Sequence, residues 1–324
     1  MTFLVAAAQY PIEMLRDWAA YGAKLECWVE EAALQGARLL VFPEYAAMEL
    51  ASLNPDTMGD LAGSIAHVDA LLPQADALHA HLAARFDVHI LAGSAPCLGG
   101  RGKFFNRARL FTPSGGVGVQ DKLVMTRFER EEWDISPGRE LRLFDTDLGR
   151  IGIVICYDSE FPLIARALVE AGADMLLAPS CTDSSHGYWR VRIGAQARAL
   201  EGQCYVVQAP TIGDAPWSPA VDVNHGIAGI YAPPDSPFSP TGVVAIGEPD
   251  RHQWVFGEID TAIVDRLRAD GGVLNVRDWT ETSLNAASFP VEIVDLRTKP
   301  LPIPAEIAHQ AVTRQTRPSS ACVG

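Results

Sequence analysis

Apolar runs of four to six residues recur along the chain at Phe3 to Ala8, Leu39 to Phe42, Val88 to Ala92, Arg109 to Thr112, Ile151 to Ile155, Met175 to Ala178, Tyr205 to Ala209, Gly242 to Ala245 and Trp254 to Ile259. Gly, Pro or Asp bounds them, as expected of buried strands. Between several of them the apolar positions fall at helical spacing, over Met14 to Leu34, Val68 to Phe86, Pro162 to Ala171 and Tyr188 to Glu201. The alternation predicts helices covering a sheet, and the consecutive runs at 88–92 and 109–112, and at 242–245 and 254–259, predict hairpins within it. The fold class is α/β with a mixed sheet. Thr211 to Pro240, rich in Pro, Gly and Ser, predicts a long surface loop that walls a pocket. No linker divides residues 1–299, which read as one domain, whereas 300–324 lose periodicity and read as an extended or partly disordered tail.

Composition narrows the functions. With 48% hydrophobic residues in 324, the chain can bury a sizeable core. The net charge of −14 disfavours nucleic acid and anionic membranes as partners, and no apolar run is long enough to span a bilayer. The opening MTFLVAAAQYPIEM has no basic n-region and reads as a strand, not an export signal. Cys27, Cys97, Cys156, Cys181, Cys204 and Cys322 show no CxxC spacing, and HExxH is absent. Neither a metal site nor a disulfide framework is expected, and a reducing cytoplasm is the expected compartment.

Three places share one design, a strand whose end hands over to a reactive side chain. ARLLVFPEY leaves Glu44 just past a strand, RLFTPSGGVGVQDKL places Lys122 after a hairpin, and GIVICYDSEFP puts Cys156 at a strand-to-helix turn. Singly, these are a surface acid, a solvated charge and a core thiol. Jointly, carboxylate, ammonium and thiol form a working set for attack on a carbon bonded to nitrogen. An ordinary thiol is only slightly ionised at neutral pH, so Glu44 must take its proton or a nearby cation must lower its pKa. Negative charge growing on the carbonyl oxygen needs donors, which Lys122 and the backbone N–H of Tyr157 can supply.

FPE at 42 to 44, DK at 121 and 122, and ICYDSEFP around Cys156, spaced by 78 and then 34 residues, resemble the carbon-nitrogen hydrolases of the nitrilase superfamily. The resemblance implies a four-layer α-β-β-α sandwich, pairing through helices into a homodimer or higher even oligomer, a Glu44-Lys122-Cys156 triad, and no cofactor. The family usually places a second glutamate between the lysine and the cysteine. TRFEREEW offers Glu129, Glu131 and Glu132, and Glu129 is chosen because KLVMTRFEREEW resembles the K-x6-E-R-x-x-W pattern of the nitrilase branch. Tyr157-Asp158 after the cysteine looks instead like the amidase and carbamoylase branches, so the chain resembles a less characterised subgroup nearer to those. Tyr157, Cys181, Thr182 and Trp189 are candidates for substrate contact; a buried cysteine and an interfacial tryptophan are the alternative readings of Cys181 and Trp189. The expected function is hydrolysis by water of a small-molecule amide or carbamoyl bond through a cysteine thioester. A nitrilase or acyl transferase with the same triad is one alternative; a catalytically silent binding protein, expected to have lost a triad residue, is another.

Overall fold

The first strand, β1 (Thr2–Pro11), is buried along nearly its whole length, which is why it reads as an unbroken hydrophobic stretch and not as an alternation. This computed structural model describes residues 1–286 together with 293 and 294. After β1 come α1 (Trp18–Leu34), β2 (Ala37–Val41), α2 (Leu61–Phe86), β3 (His89–Leu98), β4 (Phe104–Phe111), β5 (Val117–Asp121) and the short α3 (Arg127–Glu131). Then follow β6 (Leu143–Thr146), β7 (Gly149–Ile153), α4 (Pro162–Glu170), β8 (Met175–Ser180), α5 (Ser185–Gly202), β9 (Tyr205–Asp214) and β10 (Val223–Asn224). The last elements are β11 (Gly229–Tyr231), β12 (Val243–Ile246), β13 (Gln253–Asp260), α6 (Thr261–Asp270) and α7 (Asn275–Ala286).

The strands form two mixed sheets. One runs β5-β4-β3-β2-β1-β13, with β3, β2 and β1 parallel and its outer pairs antiparallel. The other runs β6-β7-β8-β9-β11-β12, with β7, β8 and β9 parallel between antiparallel neighbours. They join where Tyr10 and Pro11 of β1 pair in parallel with Thr211 and Ile212 of β9. Val5, Val41, Leu91 and Leu110 of the first sheet pack on Ile153, Leu177, Val207 and Ile230 of the second, forming the inner core. On the outer face of the first sheet, Ala6, Leu40 and Ile90 pack with Leu25 and Val29 of α1 and Val68 and Leu72 of α2. On the outer face of the second, Leu176, Ala178 and Val206 pack with Leu168 of α4 and Ala195 and Ala199 of α5. The layers are therefore helix, sheet, sheet, helix, the α-β-β-α sandwich that the motifs imply.

Several boundaries differ from the sequence reading. The first helix starts at Trp18 and not Met14, because the Asp17 carboxylate accepts the Ala20 N–H at 2.8 Å and caps it. β4 begins at Phe104, five residues before the expected Arg109. The stretch expected as a loop from Thr211 to Pro240 contains the end of β9 and the short strands β10 and β11. The chain divides into two units, 1–279 and 280–324. The first holds both sheets and the site described next; the expected tail at 300–324 lies outside the described residues.

Candidate active site

Each reactive side chain sits where a strand ends and the backbone is pinned. Beyond β2, Glu44 lies in a turn whose Pro43 carbonyl approaches Gly93 so closely that a Cβ on that glycine would come 1.8 Å from the oxygen. Gly93 has φ +68°, a left-handed conformation that suits glycine. Thr211 Oγ1 donates to the Glu44 carbonyl at 2.7 Å, and the Tyr45 N–H donates to Ser94 Oγ at 3.1 Å. After β5, the Lys122 N–H donates to the Asn106 carbonyl at 2.8 Å. After β7, Cys156 opens a 3-10 helix, Cys156–Glu160, with φ +46°. A non-glycine residue there stores about 1–3 kcal/mol of strain. The N–H of Tyr157 lies in the first turn of that helix, where amides have no intrahelical partner. Asp158 ties two of these segments together: its buried carboxylate accepts the N–H groups of Leu123 at 3.1 Å and Val124 at 2.8 Å, directly after Lys122.

Glu44, Lys122, Glu129 and Asn106 form a buried ring. Lys122 Nζ donates to Glu44 Oε1 at 2.7 Å and to Glu129 Oε2 at 2.6 Å. Asn106 Nδ2 donates to Glu44 Oε1 and Glu129 Oε1, each at 2.9 Å. Glu129 also accepts from Tyr45 OH at 2.7 Å and, through the capping box that starts α3, from Thr126 N and Oγ1 at 3.0 and 2.9 Å. Glu131 and Glu132 are exposed, and Glu131 pairs with Arg127 on the surface of α3.

This surrounding separates the two carboxylates. Burial raises the Glu44 pKa, the Glu129 charge raises it further, and Lys122 only partly opposes them. Burial also pushes Glu129 up, but Lys122, Tyr45 and Asn106 outweigh it and hold its carboxyl below the usual range. Burial acts to lower the Lys122 pKa, yet the two carboxylates carry it well above normal, so the ammonium is permanent. Burial and the Glu44 charge drive the Cys156 thiol well above its ordinary range despite Lys122. Burial and Glu44 thus favour the protonated form of the sulfur, which lies 3.8 Å from the Cys181 carbonyl oxygen.

A cavity of about 600 Å³ opens onto this cluster. Glu44, Lys122, Glu129, Cys156, Tyr157, Cys181 and Thr182 all line it. Trp189 does not. On α5 the cavity is lined by Gly187, Arg190 and Val191, at positions i, i+3 and i+4, and Trp189 lies about 200° from Gly187. It is 49% exposed, with the Arg192 guanidinium 4.9 Å from its ring centre. Val221 and Asn224 supply one wall from the segment between β9 and β11, as expected for that stretch. Asn224 Oδ1 accepts from Cys181 Sγ at 3.2 Å. Arg190 and Glu160 face each other at the rim at 3.5 Å. Asn106, Tyr45, Thr126 and Asp158 belong to the site and were not among the residues singled out from the sequence. Among the described residues, no group of three His, Cys, Asp or Glu is arranged to hold a metal ion, and no helix is long and apolar enough to cross a membrane.

Comparison with known proteins places the same architecture elsewhere. The family model described as carbon-nitrogen hydrolase matches residues 4–254. A probable hydrolase of Bacillus subtilis, YhcX, is 34% identical over 274 residues; the match takes in 85% of this chain but only 53% of that protein, about half its length. The omega-amidase NIT2-B of Xenopus laevis is 26% identical over 196 residues, covering 57% of this chain and 67% of that one. Among solved structures, a carbon-nitrogen hydrolase from Helicobacter pylori superposes with a TM-score of 0.67 at 19% identity, over 89% of this chain and 96% of that chain.

Proposed function

The chain belongs to the carbon-nitrogen hydrolase family, and from that premise we propose that it hydrolyses the amide or carbamoyl bond of a small molecule through a thioester on Cys156. The observation that carries this reading is the placement of the Cys156 thiol in the same cavity as the buried Glu44 carboxylate, which is itself bridged to the Lys122 ammonium. Glu44 takes the proton from Cys156 Sγ as the sulfur attacks the carbonyl carbon. The oxygen, now negative, sits between Lys122 Nζ and the Tyr157 N–H; one such donor is worth about 3 to 4 kcal/mol of barrier. Glu44 returns the proton to the nitrogen, the C–N bond breaks, and ammonia or an amine departs. Water then gives a proton to Glu44 and its oxygen to the acyl carbon, and the thiolate leaves and is reprotonated. Glu129, anionic throughout, holds the Lys122 charge in place.

Because burial and the Glu44 charge both raise the Cys156 pKa, base assistance by Glu44, rather than a preformed thiolate beside Lys122, is the proposed source of the nucleophile. The relative named omega-amidase and the Tyr157-Asp158 pair favour an amide. The Glu129-Arg130 to Trp133 pattern favours a nitrile as the second reading, with Trp133 in the cavity wall. We also place the protein in a reducing cytoplasm, in keeping with five free thiols among the described residues. Its expected form is a homodimer or higher even oligomer, in keeping with the apolar stripe that Trp189, Ile193 and Leu200 expose along α5 and with the exposed Leu163 of α4.

Intact-mass spectrometry after incubation with a panel of small amides, ureido acids and nitriles, run beside Cys156→Ala, tests the reading. An acyl adduct confined to the native chain identifies the nucleophile and the acyl half of the substrate. A panel that leaves no adduct and no turnover, with Cys156 alkylating no faster than a buried structural thiol, favours the silent binding protein.

A further inference from the structure

Asn106 is fully buried in β4, and its side chain touches both carboxylates of the cluster. Its Nδ2 spends one proton on Glu44 Oε1 and the other on Glu129 Oε1, both at 2.9 Å. Its Oδ1 has no hydrogen-bond partner among the described residues. That one-sidedness fixes the amide: turned over, it would set Oδ1 against two carboxylate oxygens and lose both bonds. Glu44 accepts on Oε1 from Lys122 and Asn106 and has Cys156 as a further side-chain partner, whereas Glu129 is engaged on both oxygens by other groups.

We infer that Asn106 is a positioning residue that selects Glu44 as the base, by tying its Oε1 to Glu129 and leaving its Oε2 for the thiol. Lys122 alone cannot do this, because a single donor to Oε1 leaves the carboxylate free to rotate about that contact. A second donor from a rigid strand removes that freedom. The backbone of Asn106 has a separate task, accepting the Lys122 N–H, which a side-chain substitution leaves in place. The inference rests on Glu44 being the base proposed above. The ionisable groups facing Glu44 are Lys122 after β5, Glu129 on α3, Cys156 and Asp158 on the 3-10 helix, Cys181 after β8, and the neighbouring Tyr45.

The test needs no substrate. Alkylation of Cys156 by iodoacetamide is followed by peptide mass spectrometry across about pH 4 to 9 in the native chain, Glu44→Gln, Asn106→Leu and Asn106→Ser. In the native chain the rate is expected to rise to a plateau as Glu44 deprotonates, whereas Glu44→Gln removes that plateau and leaves a rate that climbs steadily as the thiol itself ionises. Asn106→Leu, close in volume and without a donor, is expected to slow alkylation on the plateau by about tenfold to a hundredfold and to move the acid limb upward. Asn106→Ser, with one proton to give, falls between. A plateau that survives Glu44→Gln overturns the assignment of the base and, with it, this inference. A plateau that Glu44→Gln removes but both Asn106 variants leave unchanged in height and midpoint overturns the role of Asn106 alone. Failure of both Asn106 variants to fold also overturns it, since the side chain is then needed for the fold and not for placing the base.

Discussion

Glu129→Gln is expected to make Glu44 a stronger acid and a weaker base. The substitution keeps shape and removes one charge from a cluster in which Lys122 Nζ is shared by two carboxylates. The legs of 2.7 and 2.6 Å from Nζ put Glu44 Oε1 and Glu129 Oε2 at most 5.3 Å apart. At an effective dielectric of about 20, two unit charges at that separation repel by about 3 kcal/mol, which corresponds to about two pK units. Removing Glu129 takes away that repulsion and leaves the ammonium to Glu44 alone. The acid limb of the Cys156 alkylation profile, or of kcat/KM once a substrate is in hand, should move down by about one to two pH units. The plateau should drop at least about tenfold, because the proton acceptor has weakened and Lys122 has lost half its tether. Glu131→Gln and Glu132→Gln change exposed side chains on α3, and the Arg127–Glu131 pair at i,i+4 contributes little to anything. Both variants should track the native profile. An upward shift of the limb in Glu129→Gln, or a Glu129→Gln that proves the mildest of the three, refutes the electrostatic reasoning. The opposite sign expected for Asn106→Leu makes the two substitutions controls for each other.

Lys122→Met should lower kcat by at least about a hundredfold with little change in KM; an effect confined to KM would make Lys122 a substrate-binding group instead. Gly93→Ala should cost more than about 2 kcal/mol in urea unfolding and lose activity as the Pro43-Glu44 turn is displaced. Native-like unfolding of that variant would deny the close approach. Burial raises Asp158 to about 7 against the opposing Lys122 charge and the Leu123 and Val124 N–H groups, while its unfolded value stays near about 3.9. The folded chain therefore holds a proton between those values that the unfolded chain lacks, so this stability is full below about pH 4 and lost as pH rises through about 7. Asp158→Asn should flatten that part of the stability curve. An unchanged slope would assign the titration to another group.

The parts of this fold that depend on local pattern were legible. Runs such as Met175 to Ala178 are short and wholly apolar because β8 is buried on both faces between two helical or sheet layers, and nothing distant is needed to recognise that. The handover points at Glu44, Lys122 and Cys156 were legible for the same reason: a reactive residue directly after such a run must lie at a sheet end. β11 was not, since three residues carry too little periodicity to separate Gly229–Tyr231 from a loop. Trp189 is a candidate for substrate contact only because its segment resembles the family's pocket wall, with an interfacial tryptophan as the alternative reading. Its place on the far side of α5 follows from helical phase once Gly187 and Val191 are known to face inward. Asn106 left a faint signal. Extending the strand back to Phe104 puts it on the same face as Ala108 and Leu110, and an amide on an inward face has to be satisfied by something buried.

What no local reading supplies is the difference between Glu44 and Glu129. Both are glutamates, both follow a strand or turn, and both end buried within reach of one ammonium. Their pKa values nevertheless move in opposite directions: burial raises both, the Glu129 charge raises Glu44 further, and Lys122, Tyr45 and Asn106 outweigh burial at Glu129. Glu129 accepts five hydrogen bonds, from β4, α3, the turn after β2 and the lysine. Glu44 accepts two from Lys122 and Asn106, both on the same oxygen, and has the Cys156 thiol as its remaining side-chain partner. Saturating one carboxylate fixes it as a permanent anion, and leaving the other half-satisfied keeps it able to take a proton and give it back. Those donors are brought together by the pairing of β3 with β4, the capping of α3 and the approach of Gly93 to Pro43, all of them tertiary events. The roles of acid, base and anchor are thus set by the fold around the residues, and the sequence motif alone names only the set from which they are drawn.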